Sequence, residues 1–122
     1  MLFRSQPDMA IEHIENALRL SPRARVGPSL AHLGAAHFYA RRFDQAVPKL
    51  LLAIQQDPGY PQAYRTLAAC YAHMGRLDEA REVVARLRAV IPVVIPDARS
   101  YRNPEHRELF LSGLRLAMGE AS

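Results

Sequence analysis

Apolar residues recur three and four positions apart in six stretches of the chain, the spacing that places side chains along one face of an α-helix. Helices are therefore predicted at about 7–20, 28–40, 44–56, 61–73, 77–90 and 104–118. Prolines and glycines separate several of these stretches, most clearly at Asp57-Pro58-Gly59. The pattern predicts an all-α chain.

The pattern also repeats over a longer distance. Three pairs of matching residues are each 34 positions apart: Leu33 and Leu67, Ala46 and Ala80, and Pro58 and Pro92. Each unit contains a helix, a short turn, a second helix and a proline, so 28–57 and 61–92 are predicted to be two full helix-turn-helix repeats. The first turn has Arg41 where the second has Gly75, and we expect it to be looser because left-handed backbone favours glycine.

One further helix flanks the repeats on each side. Residues 7–20 match the second half of a repeat, with Ala10, Ile14 and Pro22 at the equivalent positions, so this helix is predicted to be an orphan half repeat. The helix at 104–118 follows a proline-containing segment. Its apolar stripe is predicted to cap the open end of the stack and comprises Leu109, Phe110, Leu114 and Ala117.

The repeat resembles the tetratricopeptide repeat (TPR), W-x2-L-G-x2-Y, then A-x3-F, then P. The second unit reads Tyr64-x2-Leu67-Ala68-x2-Tyr71, Ala80-x3-Val84 and Pro92, and the first unit reads Leu30-x2-Leu33-Gly34-x2-His37, Ala46-x3-Leu50 and Pro58. The tryptophan is missing from both units, and His37 replaces an aromatic residue. The resemblance implies a TPR-like α-α superhelix, a single domain over 1–122, and a non-enzymatic function in binding other proteins.

A narrower resemblance concerns the segments AIEHIENALRLSPR, AVPKLLLAIQQDPGYPQAYRTLAACYAHMGRLDEAR and NPEHRELFLSGLRLAMG. They are similar to the C-terminal TPR segment of bacterial proteins that carry a class III adenylate/guanylate cyclase or a winged-helix domain upstream. This resemblance implies a bacterial source and an alternative function. The chain would be a regulatory or self-associating tail of a cyclase-like or transcription-regulatory protein, encoded alone or truncated.

Charge and composition narrow the classes of partner. The net charge is +4, but acidic and basic residues alternate on the predicted helices, as at Asp78, Glu79 and Arg81. Such mixing is typical of a solvated helix face and disfavours nucleic acid as a partner.

No apolar run in the sequence approaches the roughly 18 residues of a membrane span. With no signal-peptide pattern and a single cysteine, the chain is predicted to be cytoplasmic.

The residues that could carry chemistry form no recognisable catalytic or metal-binding set. His32 and His37 are five positions apart and so lie on different helix faces, and the other three histidines belong to separate elements. Cys70 lies in an apolar stretch and is predicted to be a small buried side chain. We expect no metal, no cofactor and no enzymatic activity. An enzyme that uses Cys70 or a histidine is the alternative, and it requires a reactive thiol at neutral pH.

The candidate binding site follows from the TPR resemblance, which implies a concave groove lined by the first helix of each repeat. The predicted groove residues are Phe38, Tyr39, Arg65, Ala69 and His73. Two exposed aromatic side chains beside an arginine would anchor a peptide or helix and pair with its carboxylate. Alternatively, Phe38 and Tyr39 pack against the first helix or against the loop after Arg41.

The orphan helix suggests a second interaction surface. Each Ile or Leu side chain left exposed forgoes about 1.5–3 kcal/mol of burial free energy. Leu2, Phe3, Ile11, Ile14 and Leu18 are therefore predicted to form a self-complementary patch that makes a homodimer. In the alternative, the stack is truncated and its parent protein covers this patch.

Overall fold

The computed structural model describes the backbone of residues 6–20, 26–96 and 102–119, and the side chains of 7–16, 29–96 and 102–119. These residues form six helices: α1 (Gln6–Leu20), α2 (Val26–Tyr39), α3 (Phe43–Gln56), α4 (Pro61–His73), α5 (Leu77–Val90) and α6 (Pro104–Ala117). The described ranges contain no strand, and the prediction of an all-α fold is confirmed. None of the six helices is long and apolar enough to cross a membrane.

The two turns inside the hairpins have the same backbone structure. Arg42 N–H donates to the His37 carbonyl at 2.9 Å, and Arg76 N–H, 34 positions later, donates to the Tyr71 carbonyl at 2.8 Å. The left-handed residue is Arg41 (φ 61°) in the first turn and Gly75 (φ 78°) in the second. The first turn therefore adopts the same left-handed, hydrogen-bonded conformation as the second, although its left-handed residue is an arginine.

The core lies inside each of the two hairpins, α2–α3 and α4–α5, and between the hairpins, where α3 packs on α4. The side chains of Leu50, Leu67 and Leu87 are fully buried there. Gly34 allows α2 and α3 to approach closely, since a Cβ atom at this position would lie 2.5 Å from Leu50 Cγ. The repeat spacing therefore brings equivalent apolar side chains into one continuous core.

The first helix, α1, extends the stack by packing on α2. Ile11 is buried against Leu33 and Ala36, and Ile14 packs on the same cluster. A salt bridge of 2.6 Å joins Asp8 to Arg42, at the turn between α2 and α3. The orphan helix thus buries one side against the first repeat.

The last helix, α6, buries the predicted apolar stripe, but it docks mainly on α4 rather than capping the open end of the stack. Its buried residues are Leu109, Phe110, Gly113, Leu114 and Ala117. Its most extensive contact is with α4, and its contact with α5 is smaller. Asn103 caps its start by accepting hydrogen bonds from Glu105 N–H and His106 N–H, at 2.9 and 3.2 Å.

Candidate functional site

The five predicted groove residues converge on one surface, and the surface they contact belongs to the same chain. Four of them contact α6: Phe38, Tyr39, Ala69 and His73. The fifth, Arg65, contacts the segment 91–96. The inner face of α4 is therefore occupied by the C-terminal part of the protein. The contacts below show how this occupation arises.

Phe38 lies at the floor of the groove and is fully buried. Its ring meets the ring of Phe110 edge-on, with 6.4 Å between centroids, and lies 6.0 Å from the His73 ring. The rings of Tyr39 and Phe43 also pack on it, at 5.1 and 5.5 Å. The expected exposure of Phe38 is wrong, because α6 and the start of α3 cover its ring.

Tyr39 keeps part of its side chain accessible. Its ring stacks on His106 of α6, with centroids 4.5 Å apart and planes 19° apart. The side chain is half-buried, so part of its surface faces the space between α1 and α2. Tyr39 thus borders both the filled and the open part of the groove.

Ala69 and His73 form the contact between α4 and α6. A Cβ atom on Gly113 would lie 2.8 Å from Ala69 Cβ and 2.9 Å from His73 Nε2, so the helices meet where glycine has no side chain. His73 Nε2 is 2.6 Å from the Leu109 carbonyl oxygen. A carbonyl oxygen only accepts, so His73 donates its Nε2–H in this hydrogen bond.

Arg65 binds main-chain carbonyls of its own chain. Its Nε donates to the Val94 carbonyl at 2.9 Å, and its Nη2 donates to the Val93 carbonyl at 2.8 Å. Its Nη1 lies 3.4 Å from Gln62 Oε1. The guanidinium expected to pair with a partner's carboxylate holds the segment 91–96 against α4 in this structure.

An open part of the groove remains between α1, α2 and the start of α6. Two adjoining cavities, of about 330 and 310 Å³, lie along it and share four lining residues: His32, Ala35, Tyr39 and His106. The first cavity adds Ala31, Gln62, Arg102 and Asn103, and the second adds Pro7, Ala10, Ile14 and Ala36. Neither lining contains an acidic residue. We call this surface the open groove.

The predicted dimer patch is only partly described. Ile11 is buried against α2, so it is not available to a second copy, and Ile14 is half-buried in the same contact. Leu2, Phe3 and the side chain of Leu18 lie outside the described residues. Met9, which was not assigned to the patch, is 58% exposed on α1. The homodimer stays a prediction.

Two of the groups considered for catalysis, Cys70 and His37, are buried. Cys70 is fully buried, and burial raises the pKa of its thiol to about 12, so the thiolate is not formed at neutral pH. The His37 side chain is also buried, and its pKa is lowered, chiefly by burial and then by the charge of Arg42. Within residues 7–16, 29–96 and 102–119, no three His, Cys, Asp or Glu side chains form a group able to hold a metal.

Sequence reasoning missed Gly113, His106 and Asn103, which place α6 in the groove. A glycine in the apolar stripe of a predicted helix was the available signal, since such a residue often marks a close approach between backbones. The stripe alone does not reveal which surface it contacts.

Comparison with family models matches residues 37–100, slightly more than half of the chain, to the tetratricopeptide repeat. None of the curated proteins compared with the chain matches it. This match supports the repeat and does not show the narrower resemblance to cyclase-type proteins. Tetratricopeptide repeats are non-catalytic and generally mediate protein–protein interactions. With its two stacked helical hairpins and 34-residue period, the chain belongs to the tetratricopeptide repeat family.

Proposed function

We propose that this protein is a non-enzymatic interaction module that binds a short segment of another protein in its concave groove. The observation that supports the proposal is the open groove, an apolar concavity next to the predicted groove residue Tyr39. The filled part of the groove, at Phe38, Arg65, Ala69 and His73, is a second section of the same surface. Tyr39 connects the two sections.

The lining of the open groove supports one kind of occupant. Small side chains at Ala31, Ala35 and Ala36 leave room for an apolar side chain of the partner. Arg102, which is exposed, and the polar groups of His32 border this floor, with no carboxylate among the lining residues. The complementary segment carries one or two apolar side chains flanked by Asp or Glu.

The test uses peptides selected from a random display library against the folded full chain. We expect enrichment of acidic peptides with apolar anchors, and binding about tenfold weaker to an Ala35→Arg variant, since the long side chain fills the open groove. Leu52→Arg is the matched control, because Leu52 is 41% exposed on α3 and does not line the groove. Equal affinity for both variants, by fluorescence anisotropy, would place the peptides elsewhere and contradict the proposal.

Self-association is the second candidate function, as expected for a regulatory tail of a larger cyclase-like or transcription-regulatory protein. The exposed Met9 on α1 is the observation in its favour. Light scattering on the full chain distinguishes the two. A dimer at tens of micromolar that Met9→Glu dissociates supports self-association, and a monomer under these conditions ends it.

A further inference from the structure

The face of α6 that fills the groove uses a short pattern of side chains. Phe110 covers Phe38, Gly113 lies against Ala69, and Leu114 and Ala117 are buried along the same stripe. All four lie on one face of a single helix. A helix supplied by another protein could therefore make every one of these contacts.

The polar contact in this part of the groove recognises a helix backbone. His73 donates to the carbonyl of Leu109, four residues before Gly113. The imidazole reaches this carbonyl because position 113 has no Cβ, which would lie 2.9 Å from His73 Nε2. The groove therefore selects a small residue one helical turn after the carbonyl that His73 binds.

We propose that the α4 section of the groove is a helix-binding site, and that α6 is its resident competitor. The partner is an amphipathic helix with the α6 pattern, an aromatic residue followed after three positions by glycine, then leucine, then alanine three positions later. This inference rests on the proposed function of the groove. A tethered helix acts at an effective concentration of about millimolar, so a free helix binds only when α6 is loosened.

The experiment measures binding of a labelled peptide, with the sequence of residues 102–119, to the full chain. In Gly113→Ala the added methyl lies 2.8 Å from Ala69 Cβ and displaces α6. We expect this variant to bind the peptide about tenfold more tightly than the unmodified chain does. Gly59→Ala is the matched control, since its methyl would have no neighbour closer than 3.9 Å. It should bind like the unmodified chain.

A second variant keeps the test independent of the folding of the first. Asn103→Ala removes the cap at the start of α6 without touching the core, and it should also raise peptide affinity, by a few-fold. The same peptide with alanine at the position of Gly113 should bind at least about tenfold more weakly. If neither variant gains affinity while circular dichroism shows folded helices, the inference is wrong. If library peptides still bind the open groove, the proposed function survives that result.

Discussion

At the scale of single residues, the two hairpin turns place different residues in one backbone conformation. A non-glycine residue in the left-handed region costs about 1–2 kcal/mol, and Arg41 carries this cost while Gly75 does not. Glycine also adds freedom to the unfolded chain, which offsets about 0.4–1 kcal/mol. We therefore expect Arg41→Gly to raise the free energy of unfolding by about 0.5–1 kcal/mol, measured by urea denaturation. Gly75→Ala should lower it, and a loss in Arg41→Gly would mean that the arginine side chain contributes stability.

Because Cys70 is buried, the free energy of unfolding should depend on pH in the alkaline range. Because its pKa rises from 9.0 to about 12 on folding, the unfolded chain loses the thiol proton first. Stability is then fully present below pH 9 and falls as the pH rises toward 12. At pH 10 we expect a loss of about 1 kcal/mol relative to pH 8.

The matched variant for this pH effect is Cys70→Ala, which removes the thiol and should flatten the decrease between pH 8 and pH 10. Burial also raises the pKa of Tyr71, so a smaller decrease remains at higher pH in both proteins. An identical pH slope in the two proteins would show that Cys70 is not the cause. Fast reaction of Cys70 with a thiol reagent in the folded state would reopen the catalytic alternative.

At the scale of elements, helix bounds were predictable and the position of α6 was not. All six helices lie within two residues of the predicted bounds, because the period of apolar residues and the prolines at Pro61 and Pro104 determine them locally. The stripe of α6 shows that one face is buried, but the segment that precedes it permits several docking positions. The choice depends on two long-range contacts, Gly113 with Ala69 and His73 with the Leu109 carbonyl. For the same reason, the sequence prediction of an open groove at Phe38 and Arg65 did not anticipate that α6 and the segment 91–96 cover them.

Arg65 fixes the start of the segment that returns the chain to the groove. Its two hydrogen bonds to the Val93 and Val94 carbonyls come from one planar guanidinium, a geometry that lysine does not reproduce. We expect Arg65→Lys and Arg65→Ala to lower the free energy of unfolding by about 1–2 kcal/mol, since the side chain is partly exposed. Limited proteolysis should then cleave within 91–96 faster than in the unmodified chain. An unchanged cleavage rate in both variants would contradict this function of Arg65.

At the scale of the whole molecule, α6 joins two repeats that otherwise contact each other only as neighbours in a stack. It reaches Phe38 and Tyr39 in the first repeat and Ala69 and His73 in the second. In an open stack, each repeat would depend mainly on its nearest neighbour for stability. Because α6 packs along α4 and also contacts the end of α2 through Phe110 and His106, we expect it to couple the stabilities of the two repeats.

This coupling makes Phe110 the residue through which both repeats can be weakened at once. Its ring is fully buried and packs on Phe38, so Phe110→Ala should lower the free energy of unfolding by about 3–5 kcal/mol. We expect amide hydrogen exchange to speed up together in α2 and α4, because α6 loses its contact with both. Leu52→Ala, at a 41% exposed position on α3, should leave both helices protected. If only α4 loses protection in Phe110→Ala, α6 is bound to the second repeat alone and does not couple the two.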